Sequence, residues 1–153
     1  MLLPTAFTML LLTLLTTSSP ASSTPTNAMP KSAVRLATDP SNPALTWYVS
    51  SFETGCSPGG CVYSFNIAGV ASANTPGFNT TCNGTSVEKD YVECKDKGVL
   101  SQLVPAQYPN WTVKAQHRWR KGEWEQYYAY GEKNVTAEAE NFTIRVGEVY
   151  GVA

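Results

Sequence analysis

From Trp111 to Arg120 the chain alternates without a break: Trp111, Val113, Ala115, His117 and Trp119 interleave with Thr112, Lys114, Gln116, Arg118 and Arg120. Successive side chains of an extended chain point to opposite faces, whereas a helix repeats its apolar stripe about every 3.6 residues. A strict period of two is therefore a strand with one dry face. The same period recurs elsewhere. Leu45 to Phe52 places Trp47 and Val49 together; Cys61, Tyr63, Phe65 and Ile67 oppose Ser64 and Asn66; Phe142, Ile144 and Val146 oppose Asn141, Thr143 and Arg145. Gly77 to Cys82 and Val99 to Val104 read as weaker strands. No segment carries a long helical stripe. Short strands punctuated by Gly, Pro and Asn predict an all-β chain, a compact antiparallel sandwich or barrel of about six to eight strands.

The amino-terminal region has a different character. Met9 to Leu15 is an uncharged apolar run, followed by small residues from Thr17 to Ser23. The run is too short to span a bilayer and its sequel suits a processing site, so residues 1–21 read as a secretory signal peptide. Residues 22–44 are rich in Ser, Thr and Pro and too polar to bury a core, which predicts a disordered or extended arm. Residues 45–153 remain as one β-sandwich domain. The formal net charge is −1 at pH 7, which calls for neither nucleic acid nor an acidic membrane surface as partner. Residues 146–153 do not read as a lipid-anchor tail, so none is expected. The expected location is secreted and extracellular.

An even set of four cysteines in a secreted chain reads as a disulfide framework. Cys56 and Cys61 enclose Ser57-Pro58-Gly59-Gly60, and Cys82 and Cys94 enclose eleven residues. Zinc would want tighter spacing and a nearby histidine, but His117 is the single histidine of the chain. No metal or cofactor is expected. Three pairings are possible; Cys56–Cys61 and Cys82–Cys94 are favoured because each closes a local loop. Chain entropy makes them worth about 2 and about 3 kcal/mol. Five of the nine asparagines, Asn79, Asn83, Asn110, Asn134 and Asn141, lie in N-x-[ST] sequons, more than this Ser and Thr content yields by chance. If Phe78, Trp111, Val135 and Phe142 face inward, Asn79, Asn110, Asn134 and Asn141 face outward, as glycan acceptors must.

Lys114, Arg118, Arg120 and Lys121 lie beside Trp111 and Trp119, a combination seen on nucleic-acid surfaces. A two-residue turn at Lys121-Gly122 would instead set Arg120 opposite Glu123, Arg118 opposite Glu125 and Trp119 opposite Trp124, pairing the basic stripe with acids. The same register sets His117 opposite Gln126 on the inner side, as a core pair or a polar spot in a ligand pocket. Acid–base catalysis needs a second titratable group within reach of the histidine. No nucleophile elbow or zinc-protease motif is present, so no catalytic residue is expected and the chain reads as a non-enzyme.

Several segments in order resemble the fungal Alt a 1-like secreted proteins, which include a mould allergen and plant-defence elicitors. They are Trp47-Tyr48-Val49-Ser50-Ser51-Phe52, Tyr63-Ser64-Phe65-Asn66-Ile67, Phe78-Asn79-Thr80-Thr81-Cys82-Asn83-Gly84 and Tyr91-Val92-Glu93-Cys94. The resemblance covers the first half of the domain. The Cys56–Cys61 pair is extra relative to the allergen, and the family's later cysteine pair has no counterpart after Cys94. The resemblance implies a compact β-fold and a non-catalytic binding role, effector- or elicitor-like at a host surface. The partner would be an extracellular protein or glycan, met by a monomer or a non-covalent oligomer. A small extracellular hydrolase and a carbohydrate- or cell-wall-binding module are the alternatives. Exposed coplanar aromatics would mark the binding module, and a cleft holding His117 beside a carboxylate would mark the hydrolase.

Overall fold

The computed structural model describes residues 33–36 and 42–152. The expected signal peptide, and most of the expected arm, lie outside the described residues. The described chain is all-β: β1 (Ala33–Leu36), β2 (Thr46–Ser57), β3 (Gly60–Gly69), β4 (Phe78–Thr85), β5 (Val92–Glu93), β6 (Val99–Pro105), β7 (Asn110–Lys121), β8 (Glu125–Thr136) and β9 (Phe142–Val152). A single 3-10 turn, Pro43–Leu45, precedes β2 and is capped by Asn42, whose side-chain oxygen accepts from the Ala44 amide at 3.0 Å.

Eight strands form one antiparallel sheet in the order β4-β3-β2-β9-β8-β7-β6-β5, and β1 pairs with β9. The sheet curls until its two ends meet, giving a nearly closed barrel. β1 falls within the segment expected to be an arm. Ala33↔Val152 to Leu36↔Val149 is a true ladder, so pairing with a long partner strand orders residues whose composition alone is too polar to fold. The five longest strands run ten to twelve residues, longer than the expected short strands.

The alternating faces fold as the period of two requires. Trp47, Val49, Tyr63, Phe65, Ile67, Val99, Leu103, Val113, Ala115 and Ile144 are all buried in one interior core. In β2 the alternation breaks at Ser51. There the β2–β3 register shifts between Ser50 and Glu53, and Ser51 takes a left-handed φ of 53°. The extra residue rotates Phe52 inward, where it packs edge-on against Phe142 at 5.5 Å. A bulge inserts one residue and re-aims the next side chain. One polar pair lies inside the barrel: the Tyr63 hydroxyl and the Ser101 Oγ are 3.0 Å apart, each satisfying the other.

Both expected disulfides form, with different structural roles. Cys56 and Cys61 are direct cross-strand partners in the β2–β3 hairpin. Cys82 of β4 joins Cys94, just after β5, and so ties together the two ends of the sheet path. Beside it, the Lys95 amide donates to the Thr81 carbonyl at 3.0 Å and the Asp96 amide to Thr80 Oγ1 at 2.8 Å. Where no continuous ladder links β4 to β5, this clasp closes the barrel.

Candidate functional site

The β7–β8 hairpin brings the candidate side chains to one end of the barrel, in a register other than the one expected. Lys121 pairs with Glu125 across a three-residue turn, 122–124, with Gly122 at φ 75°. A two-residue hairpin turn of the favoured type needs left-handed backbone at both central positions, which suits Asn-Gly or Asp-Gly. Lys121 would have to adopt it; the longer turn demands it only of Gly122.

Every expected cross-strand pair changes as a result. Arg120 faces Gln126, Trp119 faces Tyr127, Arg118 faces Tyr128 and His117 faces Ala129. His117 and Gln126, expected as partners, are therefore apart: His117 lies inside, and Gln126 is on the opposite face. Arg118 bonds Glu93 instead of Glu125 and donates from Nε to the Lys97 carbonyl at 3.0 Å. Lys114 pairs with Glu132, directly opposite, at 3.6 Å. Trp124 stands at the turn, 83% exposed.

Inside, the new register builds an aromatic ladder. Phe78 and His117 have ring centroids 4.5 Å apart; His117 stacks on Trp119 at 5.0 Å, and Trp119 on Tyr127 at 5.5 Å with only 14° between their planes. The ladder runs from the core to the barrel end. There a cavity of about 370 Å³ is lined by Trp119, Tyr127, Lys121, Asn42, Asn74 and Thr75, among others. Its volume is within the range of roughly 300–1,000 Å³ typical of small-molecule sites. Trp119 and Tyr127 supply flat apolar walls; the two asparagines and Thr75 supply amides and a hydroxyl; Lys121 supplies a cation. The Tyr127 hydroxyl donates to Glu125 Oε2 at 3.0 Å, and that carboxylate holds the phenol above its ordinary pKa.

Four buried side-chain polar atoms have no hydrogen-bond partner among the described residues: the indole N–H groups of Trp47, Trp111 and Trp119, and His117 Nδ1. Burial lowers the His117 pKa from 6.5 to about 4, with Asp96 pulling weakly the other way. The imidazole is therefore neutral at pH 7. It does not line the cavity; Trp119 lies between them in the stack.

All five sequon asparagines are exposed. Two sequons lie side by side, with Asn110 opposite Thr136 and Thr112 opposite Asn134, and Thr112 Oγ1 donates to Asn134 Oδ1 at 2.8 Å. Among the described residues no group of three or more His, Cys, Asp or Glu is arranged to hold a metal, and no helix is long and apolar enough to cross a membrane.

Fold and cavity together define a disulfide-clasped, all-β barrel with an aromatic pocket at one end, and its two bridges belong to an oxidising, extracellular-type environment. No protein-family profile, curated protein or solved structure matches the chain.

Proposed function

We propose that the chain is a secreted, non-catalytic binding protein, effector- or elicitor-like, acting at a host surface outside the cell that makes it. The resemblance to Alt a 1-like proteins, the leader-like amino terminus and the exposed sequons support that setting. The aromatic wall of Trp119 and Tyr127 carries the binding role. The indole and phenol rings lie nearly parallel and line a cavity of small-molecule size, with Lys121 at its edge. A ligand with a flat apolar face and an anionic edge would cover Trp119 and Tyr127 and approach Lys121. A hydrolase has less support, because His117 is stacked behind Trp119 and its Nδ1 has no titratable partner.

Titration of the protein with 2-naphthoate, followed by NMR of the aromatic side chains, tests this. Shifts should centre on Trp119 and Tyr127, and Trp119→Ala and Lys121→Ala should each weaken binding by about tenfold, the worth of one good ring contact or charge. No binding at millimolar probe, or binding indifferent to both substitutions, would overturn the pocket as the site.

A further inference from the structure

On an exposed sheet face the period of two should place polar residues outside. The outer face of β8 and β9 instead holds tyrosines. Tyr128 lies opposite Tyr150, and Tyr130 lies opposite Gln116 on one side and Glu148 on the other. The Tyr128 and Tyr150 rings stack at 5.3 Å, and those of Tyr130 and Tyr150 at 5.6 Å and 18°. Tyr91, just ahead of β5, stands edge-on to Tyr130 at 6.2 Å and 67°, making a corner. The hydroxyls are held in place: Gln116, itself buried, donates Nε2 to the Tyr130 oxygen at 2.7 Å, and the Tyr130 and Tyr150 oxygens are 3.0 Å apart. Burial, and then the bond to Tyr150, raise the Tyr130 pKa, so its hydroxyl keeps its proton.

Beside this corner the β8–β9 ladder slips. Tyr130 pairs with Glu148 but Gly131 with Val146, leaving Gly147 as the extra residue of a bulge. A Cβ atom added at Gly147 would meet nothing within 4 Å. A cavity of about 410 Å³ lies there, lined by Tyr91, Tyr130, Glu132, Arg145 and Glu148 around the two glycines. It shares no residue with the Trp119 pocket.

We infer that this cavity is a binding subsite for a neutral saccharide. Tyrosine faces match the C–H faces of a sugar ring, while carboxylates accept from pairs of hydroxyls and a guanidinium donates to them in a fixed fork. The charges at the rim balance, Glu132 and Glu148 against Arg145 and Lys114, which sits 3.6 Å from Glu132. That balance selects for neither a cation nor an anion. The bulge leaves the opening clear of side chains, and the Gln116–Tyr130–Tyr150 bonds fix the hydroxyls before a ligand arrives, which lowers the entropy cost of binding.

The test titrates the full secreted chain with four neutral hexasaccharides: β-1,4-glucose, β-1,3-glucose, β-1,4-xylose and β-1,4-N-acetylglucosamine, with hexalysine as the charged control. At least one sugar should bind with a Kd of about 1 mM or tighter, with little dependence on salt. Tyr91→Ala and Glu132→Gln should each weaken it by about tenfold while leaving the melting temperature near wild type. Trp119→Ala should leave sugar binding unchanged, which separates this subsite from the naphthoate pocket. Absence of binding by all four sugars, sugar binding indifferent to both Tyr91→Ala and Glu132→Gln, or tighter and steeply salt-dependent binding of hexalysine would each overturn the inference.

Discussion

His117 illustrates how one polar atom behaves when strands enclose it. It is 4% exposed, between Phe78 and Trp119, opposite Val99 and Ala129, with Asp96 as the charge that acts on it. Its folded pKa of about 4 lies below the unfolded 6.5, so the unfolded chain takes up a proton first as pH falls. The contribution to stability is complete above about pH 6.5 and drains away as pH falls from there to about 4, by at most about 3 kcal/mol. Urea unfolding at about pH 7 and pH 5 should show this loss, and His117→Leu should remove the histidine's part of the slope. An identical pH dependence in the variant would show that the imidazole is not buried neutral.

At the scale of elements, the β7–β8 turn decides which charges meet. Arg118 reaches two strands away, past β6 to Glu93 on β5, and does not pair with Glu125 on β8. A double-mutant cycle on Arg118 and Glu93 should give a coupling of about 0.5–1 kcal/mol, the range for partly exposed pairs. The same cycle on Arg118 and Glu125 should give about zero. A larger coupling in the second cycle would restore the two-residue turn. The same slip sorts the aromatics. A two-residue turn would place Tyr128 and Tyr130 opposite Ala115 and Val113, inside the barrel; the three-residue turn places them outside and puts Tyr127 against Trp119. An odd shift in pairing sends every side chain of a strand to the other face.

For the whole molecule, closure depends on the Cys82–Cys94 clasp, whereas Cys56–Cys61 staples one hairpin. Replacing Cys82 and Cys94 by Ala should cost about 3 kcal/mol and replacing Cys56 and Cys61 about 2, from the loop each closes. Cys82 is fully buried, which adds lost packing to the first figure. Guanidinium midpoints of the two double variants should fall in that order; the reverse order would mean that the β4–β5 seam holds without its bridge. Three of the sequon asparagines, Asn110, Asn134 and Asn141, lie at the end of β7–β9 away from the 122–124 turn. Glycans on them would leave the Trp119 pocket uncovered.

What the sequence by itself determined was whatever depends on neighbours along the chain. The period of two in Trp111–Arg120, in Cys61–Ile67 and in Phe142–Val146 settled both strand and inward face, because alternation is a property of extended backbone. The disulfide partners were legible because each loop is short enough to close locally. Only the tertiary structure decided register, bulges and closure. Residues around Ser51 and Gly147 do not announce which residue of a ladder will be skipped, since that choice is made by the strand alongside. The strand built from Ala33–Leu36 exists only because β9 has a free edge to pair with it. The two candidate sites depend on these long-range choices. The aromatics that line them are plain in the sequence, but the face each one takes is set by a turn one residue longer than its nearest local pattern.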